Sequence, residues 1–304
     1  MDNLKFYTLM YVSPDESRRF SGKSFVGDEK LDVYVKGACV LDRTLRINEG
    51  KSLTLLTNDI NAINRSLTRI CYTELEVKEI PFGLNVKKGC RFYSAHYKVD
   101  VFKYFASLPD NNYSILLDSD VVSVSPLRSD FYEIVSAGIP MVYNLSRYGG
   151  ERRMRDVSKI VDDVKWLAWA GGEFIGGLPS FFNLLYEDIC SFKENYWANI
   201  DNDLFHVGDE MLTSIALNHC QFNTIDAGVH GFIYRYWSIY EELGYGKIGA
   251  SLVHFPGDKE YFKRVNLQAN TVDEFMKNYK MYRIKCLLKG YVKKILDKDW
   301  MNRL

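Results

Sequence analysis

Along the first half of the chain, short apolar runs alternate with segments whose apolar residues recur at helical spacing. Residues 4–12 (LKFYTLMYV) and 52–57 (SLTLLT) are strand-like, and 74–80 (ELEVKEI) largely alternates polar and apolar positions until Pro81. Residues 95–107 (AHYKVDVFKYFAS) place Val99, Phe102 and Phe105 toward one side of a helix. A short apolar run, 113–117 (YSILL), follows, bounded by Asp110-Asn111-Asn112 before it and by charge after it. Strands separated by helical stretches predict a sheet built from βαβ units. The second half mixes a strand at 141–144, helices near 178–191 and 210–217, and a last strand at 250–254. The expected fold class is α/β: a mixed, mostly parallel sheet flanked by helices.

The C-terminal segment reads differently. Met281, Ile284, Leu288, Tyr291 and Ile295 recur at spacings of three and four, with Trp300 near the end. Residues 276–304 carry nine lysines and arginines against Asp297 and Asp299, a net +7. This is the pattern of a basic amphipathic helix attached to an anionic lipid surface. An ordinary terminal helix packed on the body is the alternative. Gly290 marks a break that would divide the segment into two helices. The chain is therefore divided into residues 1–270, the body, and 271–304, the helical tail.

At 304 residues, with 47% apolar and 26% charged, the chain can bury a sizeable core and is not disordered. Lys plus Arg and Asp plus Glu number 39 each, so a globally basic nucleic-acid binder is excluded. The six cysteines form no CxxC pair, which argues for buried free thiols rather than a zinc knuckle or a disulfide framework. The first residues lack the apolar core of a signal peptide, and no run is long enough to span a bilayer. A cytoplasmic chain, peripheral on the inner face of the membrane, is expected.

In open α/β sheets ligands bind beyond the carboxyl ends of the strands, so chemistry is sought just after each apolar run. Leu116-Leu117-Asp118-Ser119-Asp120 puts two carboxylates one residue apart at such an end. They suit one hard cation, Mg²⁺ or Mn²⁺, that keeps positions for substrate phosphates. Far downstream, His254-Phe255-Pro256-Gly257-Asp258-Lys259 offers a third ligand in His254 and a point charge for a phosphate in Lys259.

With these two motifs in this order the chain resembles a GT-A glycosyltransferase. The downstream motif is most similar to that of the retaining glycosyltransferase family 8, the galactosyltransferase and glycogenin group, whose signature is His-x-x-Gly-x-x-Lys. Here Gly257 to Lys259 is one residue shorter. The resemblance implies a GT-A (Rossmann-like) sheet, with Mn²⁺ (or Mg²⁺) held by Asp118, Asp120 and His254 and the donor pyrophosphate touched by Lys259. It also implies a basic residue reaching the donor from the helix before the metal motif, here Lys98, with a surface lysine as the alternative. Residues 170–177 (AGGEFIGG) are similar to the Gly-rich stretch of family 6, the blood-group-type enzymes, which approaches the transferred sugar; Gly172 is the donor-side candidate, and a pair of tight turns the alternative. Asp209 and Glu210 match that family's acidic pair, where a glutamate faces the anomeric carbon and the aspartate contacts sugars, although acidic residues in a first helical turn also serve the helix dipole. Tyr11, ending the first strand, either stacks on a uracil-type base or is a buried strand tyrosine.

Residues 147–155 (RYGGERRMR) read as a basic loop folding over an anionic donor, and Tyr234-Arg235-Tyr236-Trp237 as stacking faces for sugar or as core. Together these imply a hexosyltransferase that moves a sugar from a UDP-sugar to a glycan or lipid-linked glycan, with retention, in bacterial surface polysaccharide or lipopolysaccharide synthesis. Two alternatives stand beside it. A sugar-1-phosphate nucleotidylyltransferase would need a Gly-rich basic loop where residues 13–17 read Ser-Pro-Asp-Glu-Ser. A non-catalytic glycan-binding or membrane-adaptor protein would have kept only the fold.

Overall fold

A computed structural model describes residues 3–13, 28–146, 150–162, 168–200, 204–238, 249–267 and 271–301. Residues 14–17, on which the nucleotidylyltransferase comparison turns, and 147–149 of the basic stretch lie outside them. In chain order the elements are β1 (Leu4–Met10), α1 (Asp28–Glu49), β2 (Leu53–Thr57), α2 (Ile60–Ile70), β3 (Glu76–Glu79), a 3₁₀ turn (Tyr93–Tyr97), α3 (Lys98–Ala106), β4 (Tyr113–Leu117) and β5 (Val121–Ser123). There follow α4 (Ser129–Ser136), β6 (Met141–Asn144), α5 (Gly150–Val157), β7 (Ala170–Gly177), α6 (Pro179–Asn199) and α7 (Asp209–His219). The last are β8 (Ile225–Asp226), β9 (Ile233–Arg235), β10 (Leu252–His254), α8 (Lys259–Arg264) and α9 (Val272–Met301).

Seven strands form the main sheet in the order β3-β2-β1-β4-β7-β6-β8. β1 pairs in parallel with β2 and β4, β2 with β3, and β6 with β8; β7 runs antiparallel to both its neighbours. β2 and β4 are buried along their whole length, which is why they read as unbroken apolar runs. Chain connection reverses across β1 and β4, so their carboxyl ends open a crevice at the topological switch point.

A second sheet of three strands, β5-β10-β9, contains the last strand expected at 250–254 as β10, whereas β5 and β9, three residues each, have no counterpart in the apolar pattern. Its registers matter most for the site. His254 lies opposite Val121 and level with Arg235, while Leu117 faces Phe174 across β4 and β7. Phe255 N donates to Asp120 O at 3.0 Å, and Asp118 N to Glu173 O at 3.3 Å. Asp118-Ser119-Asp120 is thus the crossing from the large sheet to the small one, held at both ends by backbone.

Three expectations are corrected. Gly290 does not break the C-terminal segment: α9 runs from Val272 through Met301, since one helical glycine costs only ~1 kcal/mol against the bonds on either side. All six cysteines are free, but only Cys39 is buried and Cys71 and Cys220 are exposed, both following helix ends rather than facing the core. The Gly-rich segment is one continuous strand, β7, and not a pair of tight turns flanking a strand.

Gly37 carries α1 against the Asp-Ser-Asp crossing: a Cβ there would lie 2.5 Å from the Ser119 carbonyl oxygen. Gly37→Ala in an open helix would stabilise by ~1 kcal/mol. Here overpacking against backbone, ~1–3 kcal/mol, exceeds that gain. Thermal denaturation should show a lower midpoint and cation titration a weaker site; a raised midpoint would contradict the packing argument.

Candidate functional site

Asp118 and Asp120 end the crossing from β4, and His254 ends β10. One ligand atom from each lies within 4.8 Å of the other two. His254 Nε2 is 3.1 Å from Asp120 Oδ1 and 3.7 Å from Asp118 Oδ2. Its Nδ1 faces Glu173 Oε1 at 3.5 Å, at the outer limit of hydrogen-bond distance and near enough for charge. Two carboxylates and an imidazole, converging, with Asp120 and His254 buried and Asp118 partly exposed, are a donor set that fits one divalent cation, with Glu173 behind the imidazole as an orienting acid.

Lysines flank this trio on both sides. Lys259, the first residue of α8, pairs with Asp120 Oδ2. Lys98, the first residue of α3, donates to Asp118 Oδ1 at 2.8 Å, Asp209 Oδ2 at 2.7 Å and Gly172 O at 2.6 Å. The surface-lysine alternative is therefore set aside: Lys98 is 7% exposed. Burial alone would lower both lysine pKa values, yet the facing carboxylates outweigh it and both are raised. Burial likewise pushes the Asp209 carboxyl up, with Lys98 pulling against it. Asp120 lies well below the usual carboxylate range, because Lys259 and His254 overcome its burial.

Asp209 and Glu210 open α7 and point to different partners. Glu210 Oε1 accepts from Arg235 Nη2 at 2.7 Å and Gly172 N at 3.3 Å; Oε2 takes Trp169 Nε1 at 3.3 Å and His206 Nε2 at 2.9 Å. Arg235 also forks onto Glu173, with Nε and Nη2 each at 2.5 Å. Burial would raise both acids, but Arg235 dominates: Glu173 stands at about 2 and Glu210 is well below its ordinary value. Glycine is required at 171 and 172, since a Cβ would strike the Glu173 carboxylate at one and the Asp209 carboxylate at the other.

Tyr11 follows β1 and stacks on Tyr97 with centroids 3.7 Å apart and rings 9° from parallel, edged by Phe82 and Tyr93. One of its faces is thus covered. Of the aromatic run, Tyr236 is core and Trp237 is 37% exposed. The structure brings Lys98, Asp118, Asp120, Gly172, Asp209, Glu210, His254 and Lys259 into one contact network, with Tyr11 at the neighbouring strand end. The sequence pattern gave no sign of Glu173, Arg235, His206 and Trp169. For Arg235 the informative signal is its register beside His254, and it exists only once the small sheet is formed.

The architecture is that of the GT-A fold: a mixed sheet whose metal-type carboxylate pair sits at the switch point. No protein-family model and no curated protein matches the chain by sequence. Among solved structures it is similar to an active-site variant of LgtC, with a TM-score of 0.52 at 12% identity over 90% of this chain and 94% of that one. It is similar too to the galactosyltransferase LgtC in complex with donor and acceptor sugar analogues, at 0.51 and 11% over the same shares.

His254 carries a sign that can be checked. Burial lowers its basicity, but Asp120 and Glu173 outweigh it and its pKa stands at about 9. Because that exceeds the unfolded value of ~6.5, its contribution to stability is complete below ~6.5 and lost as pH rises through about 9. In chelator, the melting temperature should fall between pH 7 and 10 more steeply for the wild type than for His254→Gln. Affinity for Mn²⁺ should instead rise over that range, since only neutral imidazole ligates. Identical slopes for the two proteins would contradict this.

Proposed function

We propose that the chain is a metal-dependent glycosyltransferase that moves a hexose from a UDP-sugar to a glycan acceptor, with retention of configuration. The observation that carries the reading is the convergence of Asp118, Asp120 and His254 at the switch point of a GT-A sheet, with a lysine on either side. The likeness to a galactosyltransferase crystallised with donor and acceptor sugar analogues supports it.

Asp118, Asp120 and His254 would hold Mn²⁺ or Mg²⁺, which when bound neutralises charge on the departing diphosphate. The chain's own residues do the rest. Lys259 has a flexible stem and, among the described residues, pairs with Asp120 and the Tyr34 ring, so it can turn its ammonium to the diphosphate. Lys98 ties Asp118, Asp209 and the carbonyl of Gly172 together, so that one ammonium positions three groups around the donor sugar. The face of Tyr11 turned away from Tyr97 takes the base. Asp209 lies on the Lys98 side of β7 and faces the transferred sugar, while Glu210 lies on the Arg235 side. The acceptor hydroxyl attacks from the face that the diphosphate leaves.

Asp118→Asn and Asp120→Asn each remove a formal charge at nearly constant shape. Metal-dependent hydrolysis across a nucleotide-sugar panel should fall by ~10²-fold or more in each, and chelator should abolish it in the wild type. Wild-type turnover in either variant, or activity in EDTA, would sink the metal assignment.

The acceptor belongs at a membrane, in lipid-linked surface glycan or lipopolysaccharide assembly, and α9 supplies the contact. Phe275, Tyr279 and Arg283 bury one face of this helix. At 100° per residue Met281, Ile284, Leu288 and Val292 fall within ~80° of one another on the opposite face. All four are exposed, with Lys277, Lys280, Lys285 and Lys289 around them. Among the described residues no helix is long and apolar enough to cross a membrane, so the contact is interfacial. The side chains of Tyr291, Ile295 and Trp300 lie outside the described residues. A triple variant, Met281→Ser, Ile284→Ser and Leu288→Ser, should stay in the supernatant when wild-type protein sediments with phosphatidylglycerol vesicles. Equal sedimentation would remove the membrane role.

A further inference from the structure

Asp156 fixes the place of α5: its Oδ2 accepts from the backbone N–H of Phe205 at 2.6 Å and, more weakly, of His206 at 3.4 Å. That docking lays two guanidinium groups along the Glu210 side of the site, away from the two lysines. Arg152 lies 5.5 Å over the Phe205 ring and Arg153 4.8 Å over Trp169. His206 meets Trp169 edge-on at 5.2 Å and runs within 17° of parallel to Phe92. Phe92 and Phe205 are 54% and 51% exposed, large rings presented to solvent beside a carboxylate of the site.

Arg153 is the group that lacks an explanation within the fold. It is 8% exposed, yet among the described residues it has no carboxylate within ion-pair distance. Nη1 donates to Leu145 O at 3.2 Å, and Nε has no partner among the described residues. The nearby acid, Glu210, is already saturated by Arg235, Gly172, Trp169 and His206. Burial pulls the Arg153 pKa below its ordinary value, against Glu210 and together with Arg235. A buried guanidinium with unused donors is costly, and a planar fork of this kind matches a carboxylate or phosphate in two parallel bonds.

We propose that the surface beside Glu210 framed by Arg152, Arg153, Phe92, Phe205 and His206 is the acceptor subsite, and that it takes a sugar bearing an anionic group, carboxylate or phosphate. The exposed rings receive the face of the sugar and the guanidinium groups its anion. The identification as an acceptor subsite rests on the glycosyltransferase reading. The described part of the basic stretch is helix α5 and not the expected loop, and its Arg152 and Arg153 therefore serve the acceptor, where the sequence had suggested the donor.

Titration calorimetry on the full chain with methyl glucuronide, glucose 6-phosphate, methyl glucoside and inorganic phosphate tests this without donor, cation or turnover, so it stands or falls apart from the hydrolysis assay. At least one anionic sugar should bind about tenfold or more tighter than methyl glucoside and inorganic phosphate, and which of the two does so identifies the anion. Arg152→Gln is at an exposed position, and Arg153→Lys keeps the buried charge and the stem over Trp169. Each should cut the preference about fivefold or more. The proposal is overturned if no probe binds, if methyl glucoside or inorganic phosphate binds as tightly as the anionic sugars, or if the preference survives in both variants.

Discussion

One buried ammonium holds the site together. Lys98 reaches three acceptors from three separate parts of the chain: Asp118 after β4, Asp209 at the start of α7 and the carbonyl of Gly172 in β7. An ammonium shared by two carboxylates offsets the repulsion between them. Removing it strands Asp209, its buried partner, a loss of ~3–5 kcal/mol for a buried pair. Arg235 does the same on the far side of β7, clamping Glu173 and Glu210. The floor of the site is therefore two cations, each bridging two acids, with a strand between them that is glycine at both contact points.

This arrangement separates the tasks of neighbouring residues. Asp209 and Glu210 are consecutive, yet the first belongs to the Lys98 network and the second to Arg235, His206 and Trp169. The helix start turns them to opposite sides of β7. The same economy appears in α9. Tyr279 donates to Asp258 Oδ2 at 2.7 Å, and Arg283 Nη2 to Ser238 O at 2.6 Å with Nη1 3.6 Å from Asp258. The inward face of the helix thus braces the residue preceding Lys259, while its outward face carries the apolar stripe. Part of the segment that the sequence pattern assigns to the tail supports the loop that carries a site lysine.

Much of this is legible in the chain. The parallel core is visible because β2 and β4 are buried on both faces and β1 nearly so, which leaves little polar alternation to obscure them. Asp118, Asp120 and His254 stand out because they follow apolar runs, where strand ends must open. Lys98 can be named, but its burial cannot be read, since a lysine at a helix start has the same pattern whether it meets solvent or two distant acids. Glu173 and Arg235 are invisible for a stronger reason. One sits in a strand whose glycines erase periodicity, the other in a three-residue strand too short to show any. Gly290 misleads because propensity is a local term of ~1 kcal/mol and the continuous helix outweighs it.

The central claim is that the converging acids and imidazole hold a cation shared with a diphosphate. A crystal structure of the chain soaked with Mn²⁺ and UDP tests it most directly, by anomalous scattering at the manganese edge. The account requires one strong peak bonded to Asp118, Asp120, His254 Nε2 and the diphosphate oxygens, with the Lys259 ammonium moved from Asp120 onto the diphosphate. Manganese bound elsewhere, or UDP bound with Lys259 still paired to Asp120 and no metal among the three residues, would contradict it.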